Sequence, residues 1–86
     1  MNRSELHERL EGEEDILILE PDDFDAAIIG IAERIGMNRV LAYDKGKCIE
    51  VLMKDMSEDE AIEYFDYNTL GAWMGDGTPI FIELWG

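Results

Sequence analysis

Pro21-Asp22-Asp23-Phe24-Asp25-Ala26-Ala27-Ile28-Ile29-Gly30-Ile31-Ala32-Glu33-Arg34-Ile35-Gly36 carries the fullest helical pattern in the chain, and its reading decides the fold. The spacing of Phe24, Ala27, Ile28, Ile31 and Ile35 predicts an amphipathic helix, because apolar residues three and four apart share one helical face. Asp22 and Asp23, directly after Pro21, suit a helix start: a carboxylate accepts the free amide hydrogens of the first turn and complements the positive helix end. Gly36 suits the left-handed residue that closes a helix. Just upstream, Ile16-Leu17-Ile18-Leu19 is a short apolar run between Asp15 and Pro21, which predicts a strand covered on both faces.

Downstream, Val40-Leu41-Ala42-Tyr43 reads as a short strand or an extended connector. Asp44 is placed to cap a helix whose inward residues are Cys48, Ile49, Leu52, Met53 and Met56. Ser57-Glu58-Asp59-Glu60 is a capping box, in which the serine hydroxyl covers the third amide and Glu60 reaches back to the serine amide. That fixes the start of a third helix, expected to run to about Trp73 or Met74. Gly75-Asp76-Gly77-Thr78-Pro79 stops it, a turn dense in residues that set backbone geometry, so Gly75, Gly77, Thr78 and Pro79 are assigned an architectural role. Ile80 to Trp85 then reads as a final strand and the partner of residues 16–19.

The sum is an α+β fold: a small single domain over residues 15–86, with three main helices packed on a short two- or three-stranded sheet. Residues 1–14 are expected as a flexible acidic arm. Leu6 and Leu10 fit a short helix there, but two leucines bury too little to fix it alone.

On a wheel of 100° per residue the third helix turns Ala61, Ile62, Phe65, Thr69 and Ala72 inward, with Trp73 at the border. Asn68 falls in the middle of that face. A buried carboxamide without partners costs about 1–3 kcal/mol, so Asn68 is predicted to be structural and bonded to a loop at 43–45 or 75–79. The opposite face carries Asp59, Glu63 and Asp66 beside Tyr67, Leu70 and Met74. These six form an apolar strip with an acidic border, a candidate partner-binding surface.

Charge falls into three blocks. Residues 1–25, 26–54 and 55–86 carry −8, +2 and −8 within the total of −14, and the last block has eight acids and no base. Such a balance repels nucleic acid and anionic membranes and speeds encounter with basic surfaces. With 86 residues, only about 60–65% of the unfolded surface is buried on folding, so stability is expected to be modest. No apolar run approaches the length of a membrane span and no leader pattern follows Arg3, so a cytoplasmic setting is expected.

The candidate chemistries fail on their own requirements. Met74-Gly75-Asp76-Gly77-Thr78 resembles part of the haloacid-dehalogenase signature, but Met74 stands where that chemistry needs an aspartate nucleophile. Asp22, Asp23 and Asp25 resemble the opening of a calcium loop, yet counting from Asp23 the sixth position is Ile28 where a glycine is required. Cys48 and His7 are the only cysteine and histidine, too few for a structural zinc site, and the one imidazole that could activate Cys48 lies in the arm. Glu50 and Glu83 have apolar neighbours on both sides, and alternation explains both. No catalytic residue, metal site or cofactor is assigned. A row of Glu60, Glu63 and Asp66 with Asp59 beside it also suits imitation of DNA phosphates, provided the acidic segments 5–25 and 55–66 lie on one surface.

Tyr43-Asp44, Met56-Ser57 and the stretch from Ala61 to Asn68, continuing through Leu70-Gly71-Ala72-Trp73-Met74-Gly75 and Thr78-Pro79-Ile80-Phe81, resemble a pattern of small functionally unassigned proteins of tailed bacteriophages. The likeness spans about residues 22–82. It implies a phage or prophage origin and a host-cytosol setting, and it leaves the mechanism open. The expected function is that of a non-enzymatic accessory protein that binds another protein, a host factor with a basic surface. The alternatives are a DNA-mimic inhibitor of a nucleic-acid-binding protein and a self-associating or minor virion component, and a homodimer is compatible with either contact mode.

Overall fold

The computed structural model describes residues 2–13, 16–71 and 74–85. Its elements are α1 (Arg3–Arg9), a 3-10 turn (Asp22–Ala27), β1 (Ile28–Arg34), β2 (Met37–Asp44), α2 (Lys45–Leu52), α3 (Glu58–Phe65), a π turn (Asp66–Leu70) and β3 (Ile80–Ile82). The fold is α+β, and its three-stranded mixed sheet has the order β1-β2-β3. β2 is central, antiparallel to β1 and parallel to β3. Parallel neighbours need a long crossover, and α2, α3 and the π turn supply it.

The expected helix at 22–35 is replaced by the 3-10 turn and an edge strand. Ile28, Ile29 and Ile31 are β-branched and Gly30 interrupts them, which weakens a helix and suits a pleat. Opposite them lies Val40-Leu41-Ala42-Tyr43, fully buried, with Ile31 paired to Leu41 and Ile28 to Tyr43. Cross-strand packing against that run outweighs helical spacing. Arg34 pairs with Met37, so Ile35 and Gly36 form a two-residue loop in which Gly36 has φ +82°. A left-handed glycine closes a hairpin as well as a helix. Ile35, expected inward, is fully exposed at the tip.

Residues 16–19 form no ladder, which corrects the expected pairing with the last strand. The Leu17 amide donates to the Gly77 carbonyl at 3.3 Å, and the Leu19 amide donates to the Tyr43 hydroxyl at 2.9 Å. β3 is instead bonded to β2 and stops at Ile82, leaving Leu84 and Trp85 exposed. Tyr43, Cys48 and Phe65 are completely buried at the centre of the core, with Leu19, Phe24, Ala27 and Leu41 around them. Phe81 meets Phe65 edge-on at 4.9 Å and Tyr43 at 5.9 Å, contacts that add about 0.5–1.5 kcal/mol each beyond area burial.

Residues 3–9, expected within the arm, form α1, capped by Asn2 and seated through the buried Leu6. Arg3 fastens it: Nε donates to Asp25 Oδ2 at 2.7 Å and the guanidinium also reaches the Leu19 carbonyl and Glu20. These contacts, the Asp25 hydrogen bond first, hold the Arg3 pKa above its ordinary value. Asp25 Oδ1 is buried without a partner among the described residues. Glu14 and Asp15 of the expected arm and its boundary lie outside the described residues.

Candidate functional site

The most distinctive surface lies on α3 and the π turn. Ser57 and Glu60 form the expected capping box, with the Glu60 amide donating to Ser57 Oγ at 3.3 Å and the Ser57 amide and hydroxyl donating to Glu60 Oε1 at 3.3 and 2.9 Å. Ala61 and Phe65 face the core as expected, while Ile62 is exposed rather than inward. After Phe65 the helix widens, correcting the expectation that it continues regularly to Trp73 or Met74. An i→i+5 turn rotates each residue through less than the 100° of an α-helix, so positions past 65 leave the predicted wheel.

Asn68 is the clearest casualty. It is exposed, and its Nδ2 donates to the carbonyl of Tyr64, one turn back on its own helix, at 3.2 Å. The expected bond to a loop at 43–45 or 75–79 is not made. Ala72 and Trp73, expected inward and at the border, lie outside the described residues.

Tyr67 is 79% exposed, and Leu70 and Met74 are each 48% exposed. They do not form one strip. Tyr67 and Glu63 share a shallow groove with Met56, Glu60, Tyr64 and Asn68. Leu70 instead lines a larger cleft of about 590 Å³ with Arg34, Asp76, Thr78 and Phe81. Met74 borders a third depression with Leu17 and Asn38. Asp59, Glu63 and Asp66 are exposed, and no cationic side chain of the described residues forms an ion pair with any of them.

A second groove adjoins the first. Its walls include Pro21, Asp23, Phe24, Leu52 and Asp55, and it shares Met56, Tyr64 and Asn68 with the Tyr67 groove. The two acidic blocks therefore meet along one trough. Sequence reading missed Asp23, Asp55, Met56 and Tyr64 as surface partners. Helical spacing predicts Met56 as an inward residue of the helix capped by Asp44, and nothing local to Asp23 signals that it lines the same groove as Asp55.

The 75–79 turn is tightly bonded. Gly75 has φ +100°, Thr78 Oγ1 accepts from the Met74 amide at 2.8 Å and donates to the Gly75 carbonyl at 2.6 Å, and Gly77 and Pro79 are buried. The hydroxyl of Thr78 is thus committed to the backbone.

Besides Arg3, two groups titrate away from their ordinary ranges, and both lie in the core. Burial pushes the Cys48 thiol up to about 12, with the charge of Asp44 adding to it. Burial likewise pushes the Tyr43 hydroxyl up to about 12, against the opposing hydrogen bond from Leu19. A thiol held protonated is a poor nucleophile. Among the described residues no group of three or more histidine, cysteine or acidic side chains is placed to hold a metal ion, and no helix is long and apolar enough to cross a membrane. The arrangement offers binding surface: carboxylates with no ion-pair partner among the described residues, beside exposed tyrosines. Comparison with protein-family models, with curated proteins and with solved structures finds no match for the chain.

Proposed function

We propose that the chain is a non-enzymatic accessory protein, phage-encoded and acting in the host cytosol, which binds another protein through the acidic outer face of α3 and the π turn. The origin rests on the resemblance at residues 43–44, 56–57 and 61–81. The contact mode rests on one observation: among the described residues Asp55, Glu58, Asp59, Glu63 and Asp66 have no ion-pair partner, and Glu63 lines a groove with the exposed Tyr64 and Tyr67. Carboxylates left free beside Tyr64 and Tyr67 suit a partner with a basic surface, since complementary potentials speed encounter and fix register. The test is capture from host lysate by the wild type and by the Asp59→Asn/Glu63→Gln/Asp66→Asn variant. A basic protein retained by the first and lost by the second supports the reading; equal capture by both refutes it.

A second reading, inhibition of a nucleic-acid-binding protein by imitation of DNA, is favoured by the meeting of Asp23 with Asp55 in one trough. It requires that the chain compete with duplex DNA for a basic partner and that binding weaken steeply with salt. Competition that survives neutralisation of Asp59, Glu60, Glu63 and Asp66 refutes it.

A further inference from the structure

We propose that the trough between α3 and the Pro21–Phe24 segment seats an arginine-bearing segment of the partner protein, an inference that rests on the contact reading above and names the chemistry of its ligand. The two grooves are one surface because both are lined by Met56, Tyr64 and Asn68. The floor is apolar at one end, with Pro21, Phe24, Val51 and Leu52, and aromatic at the other, with Tyr64 and Tyr67.

The rim is acidic, but its carboxylates are not equivalent. Glu20 is tied to Arg3 and Glu60 to Ser57. That leaves Asp23 and Asp55 at one end and Glu63 at the other, none with an ion-pair partner among the described residues. A trough with an apolar stretch of floor, flanked by carboxylates without an ion-pair partner among the described residues, is complementary to a side chain that is apolar along its stem and cationic at its tip. Arginine fits better than lysine. Its guanidinium is planar, weakly hydrated, stacks on aromatic faces and can bridge a carboxylate with two parallel hydrogen bonds, whereas an ammonium is a strongly hydrated point charge. Its methylenes can lie along Met56 while the head reaches the rim. Nucleic acid has the wrong sign. A second copy is opposed by a net charge of −14 on each chain.

The test uses the isotope-labelled full chain titrated with an amidated nona-arginine peptide and, separately, nona-lysine, at physiological salt. Binding is followed by backbone amide shifts. Nona-arginine is expected to bind about three- to tenfold tighter than nona-lysine, with shifts concentrated at Asp23, Asp55, Met56, Glu63, Tyr64 and Tyr67. Tyr67→Ala, at an exposed position, should leave the thermal midpoint in place and erase the arginine preference. Asp55→Asn/Glu63→Gln should weaken both peptides. Equal affinities, with shifts spread over the glutamates of residues 5–13 and Glu83, would show nonspecific attraction to an acidic protein and overturn the assignment. If protein capture still depends on Asp59 and Asp66 in that case, the contact reading stands and only the trough is wrong. If capture is insensitive to them while the peptide preference holds, the trough stands and the α3 face is not the principal contact.

Discussion

Tyr43→Phe removes one oxygen from the centre of the sheet and leaves the ring that packs against Phe81 at 5.9 Å. That oxygen accepts the Leu19 amide at 2.9 Å, a hydrogen bond buried between two segments 24 residues apart. Leu19 forms no strand ladder, so its amide has no alternative acceptor in register. Losing the acceptor of a buried donor costs about 1–3 kcal/mol, above the net worth of an ordinary hydrogen bond, because the amide is left dry and unpaired. In a domain of this size each kcal/mol moves the thermal midpoint by about 4–8 °C, so a drop of about 4–24 °C is expected. Thermal melts at neutral pH measure it, and hydrogen exchange at the Leu19 amide localises it. Tyr67→Phe serves as the control at a 79% exposed position and should stay within about 0.5 kcal/mol. An unchanged midpoint with a still-protected Leu19 amide would refute the claim that this bond anchors residues 16–19.

Alkaline pH should unfold the domain early. The folded-state pKa values of Cys48 and Tyr43 are raised from 9.0 and 10.0 to about 12, so each contribution is fully present below its unfolded value and lost as pH rises towards 12. The unfolding free energy from urea melts should fall from about pH 9 upward at up to about 1.4 kcal/mol per pH unit for each group. Cys48→Ala should delay the onset of the fall to about pH 10, and Tyr43→Phe should make the fall above about pH 10 shallower while leaving its onset in place. At the hairpin tip, Gly36→Val should cost about 1–2 kcal/mol from backbone strain alone, since φ is +82° and nothing lies within 4 Å of an added Cβ. Gly30→Ala also meets open space without a positive φ, so it should be neutral or mildly stabilising in the same melts.

The legible parts of the sequence were those whose physics is local. Asp44 accepts the Lys47 amide and Ser57 pairs reciprocally with Glu60, as four-residue windows dictate. Thr78 and Gly75 likewise fix their turn within five residues. The hairpin was missed because Ile28, Ile31 and Ile35 satisfy helical spacing while the strand that overrides it lies about ten residues downstream. Gly36 could not arbitrate, since both endings need a left-handed residue. The trough was less legible still. Helical wheels place Tyr67, Leu70 and Met74 together, but the π turn distributes them among three depressions, and only the tertiary approach of Asp23 and Asp55 joins the acidic blocks.

The charges of α3 are unequal in what they do for the fold, and this separates structural acids from functional ones. Glu58, Asp59 and Glu60 occupy the first turn, where a negative charge is favoured by about 0.3–1 kcal/mol, and Glu60 also closes the capping box. Glu63 and Asp66 sit at the opposite end, where the helix presents its negative pole and no basic residue compensates. Glu63 also lies one turn from Asp59, Glu60 and Asp66, and like charges at those spacings each cost about 0.2–0.5 kcal/mol. A small domain with net charge −14 gains nothing in stability from keeping them. Glu63→Gln and Asp66→Asn should therefore raise the thermal midpoint slightly, whereas Glu60→Gln should lower it. The first two should at the same time weaken capture of a basic partner. A destabilised Glu63→Gln variant would mean that Glu63 is held by an internal contact, and its place on a binding face would have to be given up.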